Sequence, residues 1–288
     1  MIRILVTGPN SYFSYYLLTK LINKNLDLFI IVRNKKELKK INKRFNYKFE
    51  NFIYLKEIIK SKKNLKYLKF DFVINTITKY DNLNNSFKDI FEANVEISTK
   101  LFRYVIKSKS DFFINLDTVL NKQSNFYALT KYIFRKIITE HVKQKDVRII
   151  NIQFHNFYSY NQNENNLISK LMKFSKLNKK FHITKGSQIR DFIHIDDATN
   201  LIIEIIKNKN KFSLKNSFNF NIGGNQHISI KDLSNKIRKH FHSNIKLNIK
   251  TLKYKNKFTN KNYLSENYNL PKFIKWEPKH NLRKFFKN

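Results

Sequence analysis

The sequence predicts an α/β fold: a Rossmann-like, doubly wound parallel sheet joined to a smaller, discontinuous C-terminal lobe. Three observations lead there. Short apolar runs alternate with longer amphipathic ones over the first two-thirds of the chain, the pattern of βαβ units. The first apolar run meets a glycine-containing turn and then a helix start. Beyond Phe157 the alternation gives way to a mosaic of short helices and strands. Residues 1–158 are expected to form the sheet domain, with the chain returning to it at about 187–225 and 159–288 forming mainly the lobe. A chain of 288 residues is long enough for that core.

In chain order, the candidate strands are Ile2–Thr7, Leu28–Val32, Phe72–Asn75, Phe112–Asn115 and Arg148–Gln153. Helices are expected at Tyr12–Ile22, Phe91–Ser108 and Ala128–Val142, and the spacing of Leu101, Val105 and Ile106 turns one helical face to the sheet. Tyr160 to Asn166 reads as a polar loop and Ser217–Gly223 as a further strand. A helix over Ile228–Phe241 is opened by Ser229, with Asp232 three residues on in capping-box spacing.

Lys and Arg number 57 against 21 Asp and Glu, a net charge of +36. Such a charge invites a nucleic-acid reading. The lysines, however, are spread along the whole chain, and Asn, Ile, Phe and Tyr abound while Gly (4) and Pro (3) are scarce. AT-rich coding explains that pattern better, so no nucleic-acid partner is expected; the charge still favours small anions. The absence of Cys excludes disulfides, thiolate metal sites and cysteine nucleophiles. Apolar stretches such as Leu28 to Val32 are strand-sized, so no membrane span is expected. Met1 runs straight into a strand pattern with no signal peptide, and the expected location is cytoplasmic.

Ile4 to Ser14 reads as buried strand, tight turn and helix start. There a dinucleotide's pyrophosphate would lie against helix N–H groups and the positive end of the helix dipole. Thr7, Gly8, Ser11, Tyr12 and Phe13 are the cofactor candidates; a turn with no ligand is the competing reading. At the end of the second strand, Arg33 puts a cation where an acid would bond the ribose hydroxyls of NAD. Arginine suits a 2′-phosphate and favours NADP.

The chemical signal is Tyr127-Ala-Leu-Thr-Lys131. Residues at i and i+4 share a helix face, and an adjacent ammonium would lower the phenol's pKa towards neutrality. Tyr127 could then serve as acid or base on a sugar hydroxyl or ketone. Upstream, the strand Phe113-Ile-Asn-Leu-Asp-Thr118 offers the Thr118 hydroxyl to a substrate oxygen.

At these residues the chain resembles the extended short-chain dehydrogenase/reductase family, the NAD-dependent epimerase/dehydratase group. Val73-Ile-Asn-Thr-Ile-Thr78 is similar to the strand passing beneath the nicotinamide ribose, which implies Asn75 and Thr76 as cofactor contacts. Asn94-Val is similar to a helix motif whose Asn orients the cofactor. Gln188 to Asp197, Phe218 to Gly224 and Ile274 to Pro278 resemble three further family segments. The resemblance implies NADP or NAD as cofactor, a nucleotide-linked sugar as substrate, Thr118, Tyr127 and Lys131 as catalytic residues, and a homodimer built on the helices at 91–108 and 128–142. A narrower likeness is to reductases of CDP-linked 4-keto-6-deoxyhexoses, which share the Gln-Ile-Arg-Asp-Phe-Ile string and a Glu-Asn loop matched by Glu164-Asn165. It implies reduction of a 4-keto sugar with Tyr127 supplying the proton; 4-epimerisation is the alternative within the family.

Departures from the family pattern are informative. Ser11 and Ser14 stand where its glycine-rich loop has the second and third glycines, and Phe157-Tyr-Ser-Tyr160 replaces its Val-Tyr-Gly-Pro. They motivate a second reading, a binding protein that keeps the fold with reduced catalysis. Val119 follows Thr118 where dehydratases place an acid, which argues against dehydration. Substrate contacts are expected from His155, Asn156 and Arg190, the last either on a diphosphate or in an ion pair with nearby acids. Asp191, Asp196 and Asp197 are expected to cap helices and tie loops rather than bind metal, and His194 to pack.

Overall fold

A computed structural model describes residues 1–60, 67–82, 84–142, 147–160, 166–212, 217–242, 247–249, 261–265 and 268–286. The expected loop pair Glu164-Asn165 lies outside these residues. The first half runs β1 (Ile2–Val6), α1 (Tyr12–Leu21), β2 (Leu26–Val32), α2 (Lys35–Phe45), β3 (Phe52–Tyr54), α3 (Leu55–Lys60), β4 (Phe72–Asn75) and α4 (Phe87–Phe91). A π-helical turn (Glu92–Ile97) then leads into α5 (Ser98–Lys107), β5 (Phe112–Thr118), α6 (Phe126–Val142) and β6 (Arg148–Phe154). The remainder holds β7 (Asn156–Tyr158), α7 (Leu167–Lys176), β8 (Phe181–Ile183), β9 (Ile189–Arg190), β10 (Phe192–His194), α8 (Ile195–Lys207), β11 (Ser217–Ile222), β12 (Ile228–Ser229), α9 (Ile230–His240), β13 (Leu247–Ile249) and α10 (Leu282–Phe285).

Seven strands form one parallel sheet in the order β11-β6-β5-β4-β1-β2-β3. Its strands are apolar on both faces, as a sheet covered by helices on both sides requires. Ile4, Val6, Phe72, Ile74, Ile114 and Ile152 belong to a core shared with α1 and α8. Their neighbours Leu5, Val73, Phe113 and Ile149 face the opposite core, with Leu101, Phe102 and Val105 of α5 and Phe134 and Ile138 of α6. A third cluster unites Tyr158, α7, α9 and Leu282. Chain order reverses between β4 and β1, so the crevice that binds ligands in open α/β sheets opens where these two strands end.

Helix starts follow the local sequence. Ser11, Asn34, Asn166 and Ser229 each cap a first turn, and Ser86 with Asp89 forms a reciprocal capping box. Two expected elements differ. The helix expected over 91–108 starts as a π turn at Glu92–Ile97, which inserts an extra residue before α5, and the Ser98 hydroxyl bonds the Ala93 carbonyl at 3.1 Å. The helix expected from Ile228 begins at Ile230, since Ile228 and Ser229 pair antiparallel with β9.

The late segments are tied to the sheet by buried acids. Asp191 accepts from the N–H groups of Phe192 (2.7 Å), Gln226 (2.8 Å) and Gly224 (3.3 Å), and from the Ser265 hydroxyl. The Asp197 carboxylate receives the His280 backbone N–H and ring Nδ1, both at 2.9 Å, while Trp276 Nε1 reaches the Asp197 carbonyl. Asp196 bonds Lys20 of α1 at 3.0 Å, and His194, capping α8, stacks on His280. Among the described residues no helix is long and apolar enough to cross a membrane.

The turn after β11 fits this network only as glycine. A Cβ on Gly224 would stand 2.1 Å from the Phe192 carbonyl oxygen, and one on Gly223 would stand 1.9 Å from Asp191 Oδ2. Gly224→Ala is expected to cost about 1–3 kcal/mol of stability, read as a lower urea midpoint at unchanged slope.

Candidate active site

All residues predicted for the nucleotide turn lie where β1 runs into α1. Gly8 has a φ of +54°, and a Cβ there would meet Thr76 Oγ1 at 2.9 Å, so only glycine fits this first position cleanly. Thr7 and Thr76 lock the ends of β1 and β4 together: Thr7 N–H donates to the Ile74 carbonyl at 3.1 Å, and the Thr7 hydroxyl accepts the Thr76 N–H at 2.9 Å. The two serines have structural work. Ser11 caps α1 by accepting the Ser14 N–H, and the buried Ser14 hydroxyl bonds Thr76 Oγ1 at 2.7 Å and the Thr7 carbonyl at 3.2 Å. Phe13 is buried in the core against Phe154 and Phe157, and Tyr12 reaches Ser159 at 2.5 Å. The turn therefore keeps a helix N-terminus, a positive-φ glycine and a closed contact to β4 without its later glycines. These features fit a dinucleotide's pyrophosphate. Gly8, Ser11 and Tyr12, half-buried at the helix start, would hold it, while the side chains of Thr7, Phe13, Asn75 and Thr76 are buried behind them.

Arg33 at the end of β2 is exposed, and its guanidinium grips Glu37 at 2.9 Å. Glu37 also accepts the Arg33 N–H (2.6 Å) and the Asn10 amide (2.6 Å), pinning the α1 turn to α2. Arg44, from the far end of α2, bonds the Asn10 carbonyl at 3.0 Å and covers the Tyr15 ring. Arg33 was evident from the sequence, but neither Glu37 nor Arg44; both belong to a helix whose many charges look like ordinary solvated ones, although the Glu37 side chain is largely covered.

Helix α6 carries Tyr127, Lys131 and Arg135 at i, i+4 and i+8, one face, and sets them against the end of β5. The Tyr127 phenol lies beside the Thr118 hydroxyl. Lys131, buried, donates to the carbonyls of Leu116 (2.9 Å) and Ile77 (3.2 Å). Arg135 faces the Asp117 carboxylate at 3.3 Å. Two consecutive β5 residues, Leu116 and Asp117, are thus each held by one side chain of α6.

The electrostatics differ from the expectation that Lys131 lowers the Tyr127 pKa. Burial, the nearby Tyr80 and the Asp117 charge push Tyr127 well above its ordinary value, and the Thr118 hydroxyl beside it only partly offsets them. Burial brings Lys131 down to about 8, against the pull of Asp117. Lys131 is committed to two carbonyls, and in this state the tyrosine is a firmly protonated phenol.

Asn94, in the π turn, accepts the Lys79 N–H (2.8 Å), donates to the Lys79 carbonyl (2.9 Å) and reaches Thr130 on α6 (3.0 Å). This clamp holds the segment after β4 so that Tyr80, half exposed, lies against the Tyr127 ring at 4.9 Å. An amide ladder runs below. Asn75, Asn115 and Asn151 are in register across β4, β5 and β6, each donating to the next, and Asn151 donates to Asp117 at 3.1 Å. Asn115 and Asp117 were legible as a period-2 pair on one strand face, but single polar residues in apolar strands do not announce partners on other strands.

The expected substrate residues form a second group around Asp191. His155 is buried, with Nε2 on Asn221 at 2.9 Å and Nδ1 without a partner among the described residues, and burial lowers its pKa. Asn156 donates to the Asp191 carbonyl at 3.1 Å. Arg190 donates to the Ile189 carbonyl at 3.0 Å and to that of Lys261, and its guanidinium packs over Tyr263. Tyr263 in turn bonds Ser124 at 3.0 Å, in the loop between Thr118 and Tyr127. The second group is linked to the first by that contact.

Comparison with known proteins places the chain. Its sequence is 30% identical over 169 residues to CDP-abequose synthase of Salmonella typhimurium (strain LT2), a stretch of 56% of this chain and 55% of that protein, so that match spans about half of the relative's length. It is 25% identical over 253 residues to CDP-abequose synthase of Salmonella muenchen, covering 85% of this chain and 83% of the relative. The fold matches UDP-glucose 4-epimerase of Thermotoga maritima, solved with UDP-glucose, at a TM-score of 0.77 and 16% identity over 99% of this chain and 96% of that one. A Bordetella bronchiseptica enzyme in complex with NAD and UDP matches at 0.73 and 12% identity over 98% and 91%. Residues 4–223 match the family model described as NAD dependent epimerase/dehydratase family. With that match over most of its length, and with strand, turn and Tyr–Lys helix in one crevice, the chain belongs to the NAD-dependent epimerase/dehydratase family.

Proposed function

We propose that this chain reduces the 4-keto group of a nucleotide-linked 4-keto-6-deoxyhexose, with NADPH as reductant and Tyr127 as proton donor. One observation carries the reading: Tyr127 and Lys131 share the face of α6 that packs on the carboxyl end of β5, where Lys131 bonds the Leu116 carbonyl at 2.9 Å. When bound, the cofactor supplies hydride to the sugar C4. Thr118 and Tyr127 orient the C4 oxygen between two hydroxyls, and Tyr127 gives that oxygen its proton. Lys131 keeps a positive charge close by as negative charge develops there. Asn94 and Asn75 fix the segments that line the crevice, and the second group, His155, Asn156 and Arg190, receives the nucleotide-sugar.

Reduction is favoured over 4-epimerisation by the likeness to reductases of CDP-linked 4-keto-6-deoxyhexoses. The relatives named CDP-abequose synthase support the same substrate class. Val119, following Thr118, supplies no acid for dehydration. NADPH is favoured over NADH because Arg33 brings a guanidinium to the end of β2, where a 2′-phosphate would lie.

Two experiments test the reading. Purified protein is assayed with CDP-, UDP-, GDP- and dTDP-linked 4-keto-6-deoxyhexoses and NADPH. One of them is expected to turn over, and Tyr127→Phe to lower turnover by about 10²–10⁴-fold with NADPH affinity unchanged. Unchanged turnover in that variant would overturn the proton-donor role. In calorimetric titration NADPH is expected to bind about tenfold or more tighter than NADH, with the difference lost in Arg33→Ala. Equal affinities would reject the NADP preference, and no binding of either would favour a binding protein with reduced catalysis.

A further inference from the structure

Tyr80 has no part in the mechanism above, yet the segment that carries it is pinned residue by residue. The Ile77 carbonyl accepts Lys131 at 3.2 Å, and the Asn94 amide accepts the Lys79 N–H and donates to the Lys79 carbonyl. The Tyr80 carbonyl accepts the Asn85 amide at 2.9 Å. The Asp81 carboxylate accepts the Phe126 N–H at 3.3 Å, at the start of α6. Two of these anchors, Lys131 and Phe126, belong to the helix that carries Tyr127, so the segment and the tyrosine are fixed relative to each other.

The side chain on this fixed backbone stands in the open. Tyr80 is 54% exposed, whereas Tyr127, its ring centre 4.9 Å away and tilted by 43°, is 9% exposed. Two touching rings so unequally exposed place Tyr80 on the solvent side of Tyr127, and a molecule approaching the Tyr127 hydroxyl from water passes the Tyr80 ring. An aromatic face held in water gains when an apolar surface covers it, and a ring already fixed in place gives up little freedom in the contact. A hexose offers such a surface: its hydroxyls lie around the edge, while the C–H groups of its faces are apolar and carry the slight positive charge that an aromatic face attracts. A 6-deoxyhexose is more apolar still, with a methyl group in place of one hydroxyl.

We infer that Tyr80 binds substrate: its exposed ring is the wall on which the hexose of the nucleotide-sugar packs when its C4 oxygen reaches Tyr127. This rests on the nucleotide-sugar reading above and deepens it by giving the sugar half of the substrate a contact of its own, apart from the group around Asp191. The contact is made by the ring face, so the Tyr80 hydroxyl is dispensable and phenylalanine serves equally. It is made to the sugar alone, so the nucleotide half does not feel its loss. A Tyr80 that only shielded Tyr127 would alter stability or rate when removed, without telling a nucleotide-sugar from its bare nucleotide.

The test separates the sugar from its carrier and needs no turnover. Full-length protein loaded with NADPH is titrated calorimetrically with CDP-glucose and with CDP, and likewise with the UDP, GDP and dTDP pairs. Tyr80→Ala is expected to weaken binding of the nucleotide-sugar about 5–10-fold and to leave that of the bare diphosphate unchanged. Tyr80→Phe, which keeps the ring, is expected to change neither. Tyr80→Gln, which removes the ring with a longer side chain, is expected to behave as Ala does and covers a failure of Ala to fold. Equal weakening of both ligands, or of neither, in a folded ringless variant overturns the inference. So does a loss in Tyr80→Phe as large as that in Tyr80→Ala, or failure of every pair to bind the wild type. If no 4-keto sugar is turned over, the reductive reading fails while the titrations still decide what Tyr80 contacts. If one is turned over and Tyr80→Ala binds its nucleotide-sugar as the wild type does, that reading stands and the inference falls.

Discussion

The site depends on a row of buried amides. Asn75, Asn115 and Asn151 occupy matching positions on three neighbouring strands, so parallel pairing alone brings their side chains within bonding distance. An unsatisfied amide in this dry interior would cost about 1–3 kcal/mol, and the row satisfies each member from the next. Its fixed ends are chemically unlike: a hydroxyl at the nucleotide turn and a carboxylate beneath the tyrosine. A one-residue slip of β5 would turn its amide and carboxylate into the opposite, apolar core, so register and site geometry stand or fall together.

Both sides of the crevice show how this family member accommodates its altered turn. Where the family has glycines, the Ser11 and Ser14 hydroxyls close hydrogen bonds within the α1 start and onto Thr76. The bonds stiffen a turn that glycines would leave to the ligand to order. Behind the crevice, Asp191 and Asp197 gather the late segments by accepting several donors each. The chain has few acids among many bases, and these buried ones serve as junctions rather than as surface ion pairs.

Much of this was legible in the sequence. Parallel strands wrote themselves as apolar runs, and β4, β5 and β6 fall where those runs are. Tyr127, Lys131 and Thr118 were found because helical and strand spacing make local neighbours predictable. Other features were hidden for physical reasons. β3, β7 and β10 are three-residue strands, too short for any period to show. Arg135 looks like one more surface cation on a helix, and Asp117 like a strand-end residue; their pairing exists only after α6 docks on β5. The raised Tyr127 pKa was inverted in the sequence reading because burial, which dominates it, has no local signature.

The irregular turn before α5 has a mechanical consequence. A π turn holds one residue more than the helical repeat allows, so the segments on either side of it keep different rotational phases about a common axis. Asn94 sits inside that phase step, facing Lys79 and Thr130, while Ser98, just past it, joins Ala93 to the Asn75 amide. Removing the surplus residue would restore an even helix and swing the upstream half by about 100°. The clasp on the Lys79–Tyr80 segment would then open although every strand stayed in place.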